Sequence, residues 1–124
     1  MKRVLVVDDS PTVRQALCEL FVREVDFEVC GQAENGRDAI EKAQHFHPDL
    51  IVTDLSMPIM NGLEETRLLK SLMPGVPVII YTAHNDSFVE REGRSAGAAA
   101  VISKSNAVTT LIAAARRLFD EIAA

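Results

Sequence analysis

The chain has 124 residues, of which 48% are hydrophobic and 25% charged, with a formal net charge of -5. That length allows one domain spanning 1–124 with a real hydrophobic core and leaves no room for a second. The acidic balance and the lack of a Lys/Arg run argue against nucleic-acid binding, and no apolar segment approaches a membrane span.

Met1-Lys2-Arg3 leads directly into a strand pattern rather than a signal sequence, so a cytoplasmic location is expected. Val4-Leu5-Val6-Val7 is the first apolar run, and Asp8-Asp9 ends it. Ser10-Pro11 has the form of a helix start, a capping hydroxyl followed by proline at the first helical position. Val13, Ala16, Leu17, Leu20 and Phe21 then recur at helical spacing. Phe27 to Ala33 reads as a second strand, Asn35-Gly36 as a turn or cap, and Ala39, Ile40 and Ala43 as the core face of a second helix. That helix is spent before His47-Pro48.

Leu50-Ile51-Val52-Thr53-Asp54 is a short apolar run ending in a carboxylate, the pattern of a strand buried on both faces of a parallel sheet. Asn61, with Glu64 three residues on, forms a near capping box, and Leu63, Thr66, Leu69 and Leu72 or Met73 follow until Pro74-Gly75. Val76 to Tyr81 is a fourth strand ending at Thr82. Asp86 or Ser87 caps a fourth helix, whose core-facing residues are Phe88, Val89 and Ala96 and which carries Gly93 at a penalty of about 1 kcal/mol relative to Ala. Ala98 to Ile102 makes a fifth strand ending at Ser103-Lys104, and Asn106 caps a last helix bearing Val108, Leu111, Ile112, Ala115, Leu118 and Phe119.

Alternation of this kind is the α/β class: a (βα)5 chain with a five-stranded parallel sheet and helices on both faces. Right-handed crossovers favour a flavodoxin-like doubly wound order, 2-1-3-4-5, with its switch point between strands one and three. Asp8, Asp9, Asp54, Thr82 and Lys104 then all stand at carboxyl ends of strands and converge on one edge of the sheet. Three carboxylates at ~5 Å repel by on the order of 3 kcal/mol per pair at an effective dielectric near 20, so the cluster calls for a cation. Oxygen donors alone select a hard divalent ion such as Mg2+. A hard cation, an ammonium and a hydroxyl around an exposed carboxylate compose a phosphoryl-transfer site with Asp54 as nucleophile. Cys18 and Cys30 lack any CxxC partner or zinc spacing with His45, His47 and His84 and are expected to be reduced thiols.

The segments Val4-Leu5-Val6-Val7-Asp8-Asp9-Ser10, Pro48-Asp49-Leu50-Ile51-Val52-Thr53-Asp54-Leu55-Ser56-Met57-Pro58, Asn61-Gly62, Thr82-Ala83 and Gly97-Ala98 with Lys104 resemble the receiver domain of two-component response regulators. The resemblance spans nearly the whole chain in order and spacing. It implies that Asp54 accepts a phosphoryl group from a histidine kinase phosphohistidine or a phosphotransfer protein. It also implies Mg2+ held by Asp9 and Asp54 directly, by Asp8 largely through water, and by the Ser56 carbonyl. Thr82 would turn toward the phosphoryl group and Lys104 would pair with it. Helix four, short of apolar anchors and carrying Gly93, is expected to dock weakly, so the surface formed by helix four, strand five and helix five is expected to pass the signal to a downstream effector. A monomer or a phosphorylation-dependent dimer would be its state.

Two positions depart from the family pattern. Val101 stands where an aromatic is frequent, and Ser105 follows Lys104 where proline is frequent. Receivers that precede helix-turn-helix output domains often lack that proline, and Asn61-Gly62-Leu63-Glu64 resembles them; no such output domain fits in 124 residues, so a stand-alone receiver is expected. A Mg2+-dependent phosphohydrolase using Asp54 is the enzymatic alternative, but Asp54-Leu55-Ser56 lacks a second carboxylate two residues on. A pseudo-receiver that only binds partners would have lost an acidic or lysine position, and none is lost.

Overall fold

The computed structural model describes residues 1–123. Five strands, β1 (Lys2–Val7), β2 (Phe27–Ala33), β3 (Leu50–Thr53), β4 (Val78–Thr82) and β5 (Ala100–Ser103), form one sheet in the order β2-β1-β3-β4-β5 with every pair parallel. Between and after them run α1 (Pro11–Val22), α2 (Gly36–Phe46), α3 (Gly62–Leu72), α4 (Ser87–Ala96) and α5 (Val108–Ala123). The expected α/β class and strand order are therefore what the chain adopts.

Side chains alternate across each strand, so one sheet serves two cores. Val4, Val6, Leu50, Val52, Ile79 and Tyr81 face α1 and α5, where Leu17, Phe21, Leu111 and Ile112 close the larger core. Leu5, Val7, Ile51 and Val78 face the other way onto Ala39 and Ala43 of α2 and Leu69 of α3. A third, small cluster of Ile80, Ala98 and Val101 underlies Leu63 of α3 and Val89 of α4.

Local signals place the helix starts. The Ser10 hydroxyl accepts the Val13 N–H at 3.3 Å, Asn35 accepts from Asp38 at 2.8 Å, and Asp86 accepts from Val89 at 2.8 Å. Asn61 accepts from both Leu63 and Glu64. Four expectations are corrected. β4 begins at Val78 rather than Val76, because Pro77 has no N–H to give a ladder and Val76 closes a turn onto Met73. β5 begins at Ala100 rather than Ala98, because Ala98 still donates to the Gly93 carbonyl while Gly97, at φ 108°, ends α4 in the left-handed conformation. α5 starts at Val108, so its cap position falls on Ala107, and Asn106 instead closes a turn onto Ser103. Phe88 is 64% exposed, since the inward stripe of α4 runs through Val89, Gly93 and Ala96 and Phe88 lies off it.

At the amino-terminal edge of the sheet, Arg116 of α5 reaches back across the chain. Its guanidinium donates to Asp26 at 2.8 Å and 3.0 Å and to Glu24 at 3.0 Å, and stacks over Phe27. Cys18 and Cys30 are both free thiols. Among the described residues no helix is long and apolar enough to cross a membrane.

Candidate functional site

The β1–β3 pairing that puts Val7 opposite Thr53 carries two acidic strand ends side by side. Asp54 extends the ladder by donating its N–H to the Val7 carbonyl at 3.0 Å. Asp8 is buried, and its Oδ1 accepts the Ser10 N–H at 2.9 Å while its Oδ2 accepts from Lys104 at 3.0 Å. Asp54 is half-buried, and its Oδ1 accepts the Leu55 N–H at 2.8 Å and faces Lys104 at 3.5 Å. Asp9 is exposed at the mouth. One oxygen from each of Asp8, Asp9 and Asp54 lies within 4.8 Å of the others.

Lys104 comes from the end of β5, held there by its own N–H on the Thr82 carbonyl at 2.8 Å. Thr82 is buried at the end of β4, with its hydroxyl oxygen accepting the His84 N–H at 3.2 Å. His84 and Ser56 are exposed in the loops after β4 and β3. The structure thus gathers Asp8, Asp9, Asp54 and Lys104, puts Thr82 at the next strand end, and leaves His84 on the rim. Val101 is buried beneath α4, one element away from the carboxylates.

The charges explain the titration. Burial pushes the Asp54 carboxyl up from its ordinary value, the Lys104 ammonium opposes this, and the Asp8 carboxylate adds to it. Burial works against the Lys104 charge, yet its contacts with Asp8 and Asp54 outweigh that and hold its pKa above the usual lysine value. Three acids with one ammonium remain short of positive charge. An all-oxygen donor set this compact, with one acid exposed and another half-buried, fits a hard divalent cation with water on its open side.

Sequence reasoning missed two neighbours of the site. Arg14, one turn into α1, donates to the Asp8 carbonyl at 2.8 Å, a contact that helical spacing from Pro11 could have suggested. Glu65, in the first turn of α3, is fully buried and bonded to Thr53, although its sequence setting beside Glu64 looks like a solvated helix start.

Comparison with known proteins agrees with this geometry. The family model described as the response regulator receiver domain matches residues 4–116. The chain is 35% identical over 103 residues to the chemotaxis protein CheY of Thermotoga maritima, covering 83% of this chain and 85% of that protein. It is 33% identical over 114 residues to the transcriptional regulatory protein LnrK of Bacillus subtilis, covering 92% of this chain and 52% of that one. The chain spans about half the length of the curated transcriptional regulators it matches. Among solved structures, a LuxR-family two-component response regulator from an Aurantimonas species superposes with a TM-score of 0.94 at 27% identity, over 98% of this chain and 86% of that one. The NarL receiver domain from Mycobacterium tuberculosis gives 0.89 at 26% identity, over 94% of each. A doubly wound five-stranded sheet, an acidic cluster with a lysine at its switch point, and a family match over most of its length leave one conclusion: the chain belongs to the response regulator receiver domains, the phosphoacceptor switches of two-component signalling.

Proposed function

We propose that Asp54 is the phosphoacceptor of this receiver and that Asp8, Asp9, Asp54 and the Ser56 carbonyl hold the Mg2+ it uses. The observation that carries this is the convergence of three carboxylate oxygens within 4.8 Å beside the Lys104 ammonium. Leu55 N–H and Lys104 both engage Asp54 Oδ1, which leaves Oδ2 to attack phosphorus. The Oδ2–P bond forms as the P–N bond of a phosphohistidine breaks, and the leaving imidazole nitrogen keeps that electron pair. Bound Mg2+ would supply positive charge to the transferred phosphoryl oxygens. Lys104 is placed to move from Asp8 toward those oxygens, and Thr82 to offer them its hydroxyl once it turns from the His84 N–H. The donor is a histidine kinase or a phosphotransfer protein, met in the cytoplasm.

The signal leaves through α4, β5 and α5. Thr82 leads straight into the loop before α4, and α4 rests on the smallest of the three clusters. Gly93 brings α4 so close to β5 that a β-carbon there would lie 2.7 Å from Val101 Cγ2. Val101 has neither the reach nor the hydroxyl of a tyrosine, so displacement of α4, rather than an aromatic rotamer change, carries the output.

One experiment with two readouts tests both statements. Acetyl phosphate with Mg2+ should label Asp54 alone, as an acyl phosphate lost in hydroxylamine, and the label should vanish in Asp54→Asn and with chelator. A label on Ser56, or an Asp54→Asn protein labelled as strongly as the parent, overturns the assignment. Hydrogen exchange on the same labelled protein should change across residues 86–97, and unchanged protection there would put the output on another face.

A further inference from the structure

Glu65 has no part in the chemistry described so far, yet it is the acidic side chain most completely withdrawn from water near the site. It lies in the first turn of α3 with none of its surface exposed. Its Oε1 is 2.8 Å from the Thr53 hydroxyl oxygen, and that hydroxyl is 3.1 Å from the main-chain carbonyl oxygen of Asp54. Among the described residues Oε2 meets no hydrogen-bond partner.

Counting protons decides which form fits. A threonine hydroxyl has one hydrogen to donate. If Glu65 is a carboxylate, that hydrogen faces two acceptors, Glu65 Oε1 and the Asp54 carbonyl, and one goes without. Oε2 is then also a buried, unpaired charge, which is strongly unfavourable. If Glu65 is a neutral acid, its proton goes from Oε1 to the Thr53 oxygen and the Thr53 hydrogen goes to the Asp54 carbonyl. Every contact in that chain is then a donor facing an acceptor.

The same carbonyl is also where α3 meets the site. Gly62, the first residue of α3, sits so close that a β-carbon on it would lie 2.2 Å from the Asp54 carbonyl oxygen. The first turn of α3 therefore holds the phosphoacceptor segment twice, by contact at Gly62 and by hydrogen bonds from Glu65 through Thr53.

Charged groups on the surrounding elements are paired elsewhere or exposed to solvent. On α3, Glu64 is exposed, Arg67 pairs with Glu92 of α4 at 3.9 Å, and Lys70 donates to the Pro74 and Val76 carbonyls. On α2, Asp38 and Lys42 pair at 3.2 Å, and Arg37 and Glu41 are exposed. Past the end of β3, the Asp54 side chain faces Asp8, Asp9 and Lys104. β4 offers only Tyr81, on the opposite face of the sheet. Burial pushes the Glu65 acid up to about 8, with the Thr53 hydrogen bond opposing it.

We propose that Glu65 is a positioning residue for phosphoryl transfer: as a neutral acid it fixes the Asp54 main chain through Thr53, and it releases that segment when its proton leaves for solvent. This rests on Asp54 being the phosphoacceptor.

The test starts with the parent protein labelled with 13C at glutamate carboxyls. One carboxyl should titrate near pH 8 by NMR and be missing in Glu65→Gln, whose amide donates to Thr53 as the acid does. Glutamates that all titrate in the ordinary acidic range overturn the proposal. Next, rates of Asp54 labelling by acetyl phosphate with Mg2+ are compared across pH. The parent-to-Glu65→Gln ratio should fall about tenfold from pH 7 to pH 9, as the neutral fraction falls. A constant ratio overturns the positioning role even if Glu65 titrates as stated. Thr53→Val supplies an independent check, because it removes the link while keeping the fill of the strand. Its labelling should lose the parent's added pH dependence, and retention of that dependence overturns the relay. No label on Asp54 in the parent at pH 7 would remove the phosphoacceptor reading and the positioning role with it, while the NMR titration would still report the state of Glu65.

Discussion

Glu65 also leaves a mark on stability. In the unfolded chain its acid has the ordinary value of 4.5, and in the fold it lies at about 8. The folded state thus binds the proton more tightly. That preference is fully present below the unfolded value and is lost as pH rises toward the folded one. Between those limits the parent should lose roughly 1.4 kcal/mol of stability per pH unit relative to Glu65→Gln, and no more above pH 8. Urea midpoints of the two proteins at pH 5 and pH 8 read this directly, and parallel profiles would show that Glu65 titrates normally. Nothing in the sequence announced the residue. Helical spacing assigned Leu63, Thr66 and Leu69 to the core of α3, and an acid next to Glu64 in a first turn reads as complementing the helix dipole. The first turn is buried there because α3 starts against the end of β3, a tertiary fact with no local signature. Asp8, Asp9, Asp54 and Lys104 were legible for the opposite reason: a polar residue closing an apolar strand is visible in the sequence, and parallel topology does the gathering.

Among the elements, α4 is the one whose sequence and packing tell the same story. Its stripe of Val89, Gly93 and Ala96 buries little apolar surface, and Val101 and Ile80 occupy the space that a side chain at position 93 would take. Gly93→Ala gains about 1 kcal/mol of helix propensity. It also drives a methyl to 2.7 Å from Val101 Cγ2 and 3.3 Å from Ile80 Cδ1, an overpacking that costs about 1–3 kcal/mol. The net expectation is destabilisation of about 1 kcal/mol, an increment that disappears when Gly93→Ala is made in a Val101→Ala background, itself less stable for the buried methyls it lacks. A double-mutant cycle by urea unfolding measures the coupling, and additive single effects would mean that Gly93 and Val101 do not share the space. The ends of β4 and β5 escaped sequence reading by two residues each. A proline inside an apolar run and a glycine cap behind α4 reassign backbone donors without changing the hydrophobic pattern.

For the molecule as a whole, strand order followed from alternation and crossover handedness, and its two unequal cores follow from strands whose residues are apolar on both faces. Long-range side-chain ties lay beyond such reasoning, since Arg116, Glu24 and Asp26 each look like ordinary surface charges. Their clasp bears on the order in which the domain assembles. It joins residues 90 positions apart, and α5 can present Arg116 to Asp26 only once it has docked beside α1 on the face built by β1, β3 and β4. A contact between elements so far apart in sequence is expected to form after the transition state and to act as a latch on the finished domain. Arg116→Ala should therefore raise the unfolding rate and leave the refolding rate nearly unchanged, and slowed refolding in stopped-flow measurements would mean that the latch closes early.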